Sequence, residues 1–556
     1  MKKHMTIKRL NAALLALAFG TGNALATDGV WKDTSGNWSA AGNWTGGVAD
    51  GVGATANFQG TMASGNKTAT LDDANRTLGI LNLGFSSSSR GLTINTSGGY
   101  KLILDNGGSD AQINFKNGGG NVGIQVAVEL KSNLLITNSD SGGNKGFFFT
   151  AGGISSTNGA LTITNTSNAN SRTKFNIGIS DGTAGNTITF NQTSGWSEFT
   201  AANTYTGSTT NGGGLLHIGI STAFQNSALN TTGSITADAN NGLKLYTGVS
   251  SLTFGGLTGS KNLASLFNTA ISATNIGYVS VTGLTLNPGT GKSYTYDAAI
   301  ANGAADMTLT KTGIGTQILT GTSSYTGSTV VSAGVLAVNG SGSINSSSGV
   351  TLSGGTFRYN SSVAYSKPLT FTSGTVAGTN LTGTLDNLII GGNQTISPGN
   401  SPGTASTGSQ TWAGGGSYVW EINKATGTAG ADPGWDLENG TGTLNITAAN
   451  VSPFNILVTS LTLANAAGLA ANFNDATGYN WLIADFNAVT GFDAHAFNIN
   501  TAAFTNPFTG TFDVALGGGA MPGDISQIYL TYTPIPEPGA ALLGGLGLLA
   551  LFRRRR

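Results

Sequence analysis

MTLTKTGIGTQILTGTSSYTGSTVVSAGVLAVNG, residues 307–340, sets the reading of the whole chain. Thr, Val, Leu and Ile alternate with small or polar residues in bursts that close on Gly or Asn-Gly, so the stretch reads as short strands joined by tight turns. The same texture fills residues 68–138 as TATLDD, TLGILNLG, GLTINT, YKLILDN, AQINF, VGIQVAVEL and NLLITN, with turn clusters such as Asn106-Gly107-Gly108 between them. No part of it keeps a helical period.

Composition agrees. The chain has 86 Gly and only 9% charged residues, yet no strict Gly-X-Y period, which excludes collagen, and its recurrent β-branched and aromatic residues argue against disorder. The expected class is all-β, with Gly and Asn at the corners because they tolerate positive φ. Residues 204–218, TYTGSTTNGGGLLHI, align without a gap onto residues 324–338, SYTGSTVVSAGVLAV, and a weaker echo, GVTLSGGTFRYN, occupies 349–360. Tyr205, Thr206, Gly207, Ser208, Thr209, Gly214 and Leu216 find identical residues in the second copy. Ungapped internal repetition of this kind usually builds a solenoid.

The words Leu309-Thr-Lys-Thr-Gly and Ser324-Tyr-Thr-Gly-Ser-Thr, followed by Gly334-Val-Leu, resemble the autotransporter-associated β-strand repeat, best in 307–340 and in part in 204–218. The resemblance implies a passenger-like right-handed parallel β-helix, an elongated β-solenoid, expected over residues 27–399. Nothing near the C-terminus reads as the many alternating strands of a membrane barrel, so self-translocation is not expected. Prolines 398 and 402 interrupt strand pairing, and residues 400–533 are richer in aromatics. They are read as a C-terminal β region, either a separate sandwich-like module or the differently packed end of the solenoid.

Both ends read as sorting signals. Lys2, Lys3, Lys8 and Arg9 precede an apolar run, and Ala24-Leu25-Ala26 offers a small-residue cleavage site, so residues 1–26 are expected to be a signal peptide, with a short hydrophobic helix, for the Sec export machinery and signal peptidase. At the other end, residues 534–556 combine Pro536-Glu537-Pro538, a short apolar stretch and Arg553, Arg554, Arg555 and Arg556. This tail resembles the PEP-CTERM sorting signal. The resemblance implies a short hydrophobic helix, transient inner-membrane anchoring and recognition by an exosortase in a Gram-negative bacterium. Delivery to the cell surface or to an exopolysaccharide matrix follows from it.

Charge bears on partners. Of 25 basic residues, eight lie in the two terminal segments, leaving 17 against 24 acidic residues in the body. Nucleic acid is therefore not an expected partner, because phosphate binding relies on clustered Lys and Arg.

Catalytic chemistry has few residues to draw on. There is no Cys, and only His217 and His495 survive signal removal, which leaves no expected cofactor, metal site or Ser-His-Asp triad. Gly289-Thr-Gly-Lys-Ser293 ends like a phosphate loop but has Leu286 where the pattern needs glycine. Ser180 and Ser401 satisfy G-x-S-x-G by chance in so Gly-rich a chain, and Pro402 lacks the N–H an oxyanion hole would use. Asp72 with Asp73, Asp105 with Asp110, and Asp432 with Asp436 are the nearest acid pairs, and turn-forming Asp is their simpler explanation. Trp31, Trp38 and Trp44 either line a sugar-stacking face or plug the first rung of the stack. The expectation is a non-enzymatic, exported structural or adhesive protein. A polysaccharide-active lyase or hydrolase and a carbohydrate-binding protein are its alternatives, and acids and bases clustered on one solenoid face would favour the enzyme.

Overall fold

The computed structural model describes residues 26–60, 65–84, 90–116, 120–139, 146–169, 171–233, 237–238, 241–268, 275–378, 387–399, 402–517, 525–535 and 553. The signal segment up to Leu25, the Pro536-Glu537-Pro538 motif and Arg554 to Arg556 lie outside them, as do the two expected terminal helices. Among the described elements the helical ones are 3-10 turns such as Leu263–Leu266.

Each early turn of the chain contributes three strands, for example Ile80–Leu83, Leu92–Thr96 and Leu102–Leu104, and each strand pairs in parallel with its counterpart one turn on. Stacking turns in this way generates three sheets, which among the described residues have 25, 10 and 5 strands; the first continues into the C-terminal region, where sheets of 4 and 5 strands accompany it. This is a parallel β-helix. Period-2 alternation puts one side of every strand inside, and the register makes those inward residues into ladders. Ile94, Ile124, Phe149, Phe175, Phe199, Ile218 and Leu245 form one ladder through the second sheet, every member buried. Within it Phe175 stacks on Phe149 at 5.2 Å and on Phe199 at 4.9 Å between ring centroids. Such pairs are worth about 0.5–1.5 kcal/mol beyond their burial.

The third sheet ends at Ile179–Ser180, and the turn then shortens. Thr204 and Tyr205 donate their N–H groups to Ile179 O, so the tyrosine lies where the next strand of that sheet would be. Tyr325 makes the same bond to Ile300 O. Both rings are fully buried, filling the interior that a two-stranded turn would leave open. In the best copy of the repeat those two strands are Thr329–Val331 and Val335–Gly340. They meet at Gly334, whose φ is +59°, and a Cβ there would sit 2.3 Å from Gly315 O on the turn below. Only glycine fits that corner.

The long sheet runs through residue 399 without a break: Ile396 pairs with Tyr418, Tyr418 with Ile456, and Ile456 with Ile499. The described residues 402–517 and 525–533 therefore stack on the solenoid and share its ladder. Both ends close with antiparallel strands and aromatic clusters. At the start, Gly29–Trp31 runs antiparallel to Trp44–Thr45. At the finish, Gln527–Thr533 runs antiparallel to both Tyr479–Asp485 and Thr511–Leu516. Reversed strands and packed rings at the ends shield edges that would otherwise add further strands.

Candidate functional site

The outward side of the second sheet begins as Thr68, Thr93 and Gly123, in register across successive turns. It then changes character. The same column continues as Phe148, Lys174, Glu198, His217 and Lys244, with Arg172, Trp196 and Leu215 in the column two residues before. The strands responsible read RTKF, WSEF, LLHI and GLKLY, each with an inward Phe, Ile or Leu following the outward charged or imidazole side chain. Inward aliphatic and aromatic residues fix the register, and the register brings together charged groups far apart in sequence.

Glu198 is completely buried between two cations. Arg172 Nε donates to its Oε2 at 2.7 Å, and Lys174 Nζ lies 2.6 Å from its Oε1. Arg172 also stands between two rings, 5.8 Å from the Phe148 centroid and 5.5 Å from that of Trp196. The Trp196 and His217 rings lie 4.5 Å apart, and Tyr246 meets His217 edge-on at 5.3 Å. His217 is buried, and neither ring nitrogen has a hydrogen-bond partner among the described residues. Burial first, then the charges of Lys244 and Arg172, pull its pKa down to about 3, so the ring is neutral at physiological pH. Burial lowers the pKa of Lys244 and raises that of Tyr246.

This arrangement holds three cations, one carboxylate and a neutral imidazole around partly exposed aromatic rings. Among the described residues of the cluster there is no second acid of the kind paired-carboxylate hydrolysis uses, and Glu198 is ion-paired with Arg172 and Lys174. Binding chemistry is what the cluster offers: rings to stack on and cations to pair with.

The residues singled out from the sequence fall elsewhere. Trp31, Trp38 and Trp44 are 2%, 0% and 3% exposed and pack with Phe58 at the first turn. Each indole N–H donates to a backbone carbonyl, those of Thr34, Ala49 and Trp38 respectively. This is the geometry of a plug, with no indole face left open to a sugar. Ala24 lies outside the described residues, Ala26 is exposed at their beginning, and Arg553 is exposed. Asp72 accepts from Ser39, Asp73 pairs with Arg76, Asp105 accepts from Gly107 N, and Asp110 accepts from Asn133. Asp432 accepts from Asn423 and Asn465. Strand Ser293–Tyr296, not a helix, follows Lys292. His495 is exposed and bonds Asp493.

Two features escaped the sequence. The first is the Lys174 to Lys244 column, legible only once the pairing register is known. The second lies in the C-terminal region, where Asp436, grouped by sequence with Asp432, instead shares its fully buried setting with Glu438, an acid the sequence did not single out. Asp436 accepts from the N–H groups of Gly403 and Glu421, and burial together with the neighbouring acids pushes its pKa up. Glu438 accepts from Gln410 Nε2 at 3.0 Å, and burial lifts it to about 8.

Among the described residues no group of three or more acids and histidines is placed to hold a metal ion, and no helix is long and apolar enough to cross a membrane. A comparison with curated proteins finds no match to the chain. Against protein families, residues 309–338 match the passenger-associated-transport-repeat, and that repeat implies an exported, cell-surface β-helical protein.

Proposed function

We propose that this is a structural or adhesive protein of the cell surface or extracellular matrix. It would be exported through a cleaved signal at residues 1–26 and sorted by an exosortase acting on residues 534–556. Association with exopolysaccharide completes the reading. The observation that carries it is the uninterrupted first sheet, which makes one long object of a chain with few charges. Turn after turn, inward ladders supply stability while outward Thr, Asn and Gln offer hydroxyls and amides to a hydrated partner. The Pro-Glu-Pro motif, apolar run and terminal arginines support sorting, since the arginines favour the cytoplasmic side until the tail is removed.

Fractionation of cells with and without their exosortase, with mass spectrometry of the mature C-terminus, tests the sorting. Loss of the tail in the normal strain and retention without the exosortase is the expected result. An exported product that keeps Arg556 in the normal strain overturns it. Sedimentation of the protein with isolated exopolysaccharide tests the association.

A polysaccharide-active enzyme is the second reading, favoured by the Lys174 to Lys244 cluster alone. Release of new reducing ends from an acidic oligosaccharide would be its signature.

A further inference from the structure

On the N-terminal side of Phe148 the outward face of the second sheet opens into a cleft of about 430 Å³, whose walls include Asn66, Thr93, Asn121, Gln125, Phe148 and Thr150. Gly123 floors it: a Cβ at that position would meet nothing closer than Thr150 Oγ1 at 3.9 Å. The described residues that line the cleft are neutral and rich in amides and hydroxyls, and Phe148 stands between the rest of them and the cationic cluster. Cleft and cluster thus lie on one straight column, Thr93–Gly123–Phe148–Lys174–Glu198–His217–Lys244, parallel to the solenoid axis.

We propose that this column is a binding track for a carboxylate-bearing polysaccharide laid along the axis. Its sugar rings seat in the cleft against Phe148, and its carboxylates pair with Arg172, Lys174 and Lys244. The proposal rests on the exopolysaccharide part of the function proposed above and names the glycan's chemistry.

Four observations converge on that occupant. Charge complementarity is the first, since three cations face one carboxylate in a body where acids outnumber bases 24 to 17. Glu198 is shared by Arg172 and Lys174, while Lys244 has no ion-pair partner among the described residues, which leaves net positive charge for a ligand. Secondly, Phe148, Trp196 and Tyr246 are partly exposed rings beside those cations, the combination that holds a sugar acid by its face and its charge together. His217 is the third: its ring packs against Trp196 at 4.5 Å and Tyr246 at 5.3 Å, which joins the two aromatic side chains into one surface between Glu198 and Lys244. Lastly, strands follow one another about every 4.8 Å, close to the length of one pyranose unit, so successive sugars meet successive rungs. A nucleic acid suits the face less well, because the cations are few and interrupted by Glu198.

The test uses the full exported chain from producing cells. Titration calorimetry at low salt compares hexagalacturonate with its methyl ester, cellohexaose and single-stranded DNA, on the wild type, Lys244→Gln and Phe148→Ala. Circular dichroism verifies that both variants are folded. Hexagalacturonate should bind about tenfold tighter than its ester, the worth of one charge-assisted contact. Lys244→Gln should lower that preference severalfold, Phe148→Ala should weaken acid and ester alike, and added salt should weaken the acid only. Equal affinity for acid and ester, an unchanged Lys244→Gln, or DNA binding as tight as hexagalacturonate would each overturn the assignment. If the protein sediments with its cells' exopolysaccharide but shows no acid preference, the track falls and the matrix reading stands. If it sediments free of exopolysaccharide yet binds hexagalacturonate through Lys244, the matrix reading falls and the track stands.

Discussion

Tyr325 Oη lies 2.6 Å from Thr329 Oγ1, both fully buried, and Tyr205 and Thr209 make the same contact at 2.6 Å in the earlier copy of the repeat. The chain continues identically in both. Thr329 bonds Ser347, which donates to Gly327 O, and Thr209 bonds Ser227, which donates to Gly207 O. The Tyr-x-Gly-x-Thr wording is therefore a buried relay that ties one turn to the next. The serine was not part of the aligned words, because it lies on the following turn.

Tyr325→Phe and Tyr205→Phe should each destabilise the protein by about 1–2 kcal/mol, because each leaves a buried threonine hydroxyl short of a partner. Urea denaturation monitored by tryptophan fluorescence measures this. Equal costs at the two sites are expected, since the relays share one geometry.

Lys311, the lysine of the repeat, is buried, and its ammonium donates to the carbonyls of Thr312, Gly313 and Ala333. Burial draws its pKa down to about 8, while three acceptors, one for each N–H, favour the charged form. Lys311→Met should cost about 2–4 kcal/mol by stranding those carbonyls at the glycine corner. Hydrogen exchange should rise first at residues 311–335.

Glu438 makes stability depend on pH. Its folded pKa of about 8 exceeds its ordinary value of 4.5, so the folded state holds a proton that the unfolded state releases. Its contribution is fully present below pH 4.5 and is lost as pH rises through about 8, with a slope of at most about 1.4 kcal/mol per pH unit. Glu438→Gln should reduce the fall of melting temperature across that window, with the raised pKa of the buried Asp436 accounting for part of the slope that remains. An unchanged slope would show that Glu438 is ionised when folded.

Trp38→Ala should remove about 3–5 kcal/mol by opening a cavity in the first-turn plug. Limited proteolysis should then cut within residues 26–60 while the centre of the solenoid resists. If Trp38 instead served glycans, the substitution would reduce sugar binding with the melting curve unchanged.

The bursts of residues 307–340 and their echo announced strands and turns because alternation and glycine corners are local requirements, met within a few residues. The match of Tyr205 to Tyr325 was legible for the same reason. Residues 400–533 were harder: their strands were evident, but two packings were compatible with them, and only the Ile396–Tyr418–Ile456 ladder chose between a separate module and a continuation.

By itself, then, the sequence determined the all-β class, the repeat and the sparsely charged, Gly-rich character of the body. What tertiary structure alone decided was which residues meet. Lys174, Glu198, His217 and Lys244 share no motif and no constant spacing, yet the inward ladder of Phe175, Phe199, Ile218 and Leu245 sets them side by side. Strand pairing acts between turns whose lengths vary, so a shift of one residue in any of them would turn those side chains to the opposite side of the sheet. The candidate site is thus a property of register, and register is settled by burial across turns that no local stretch of sequence contains.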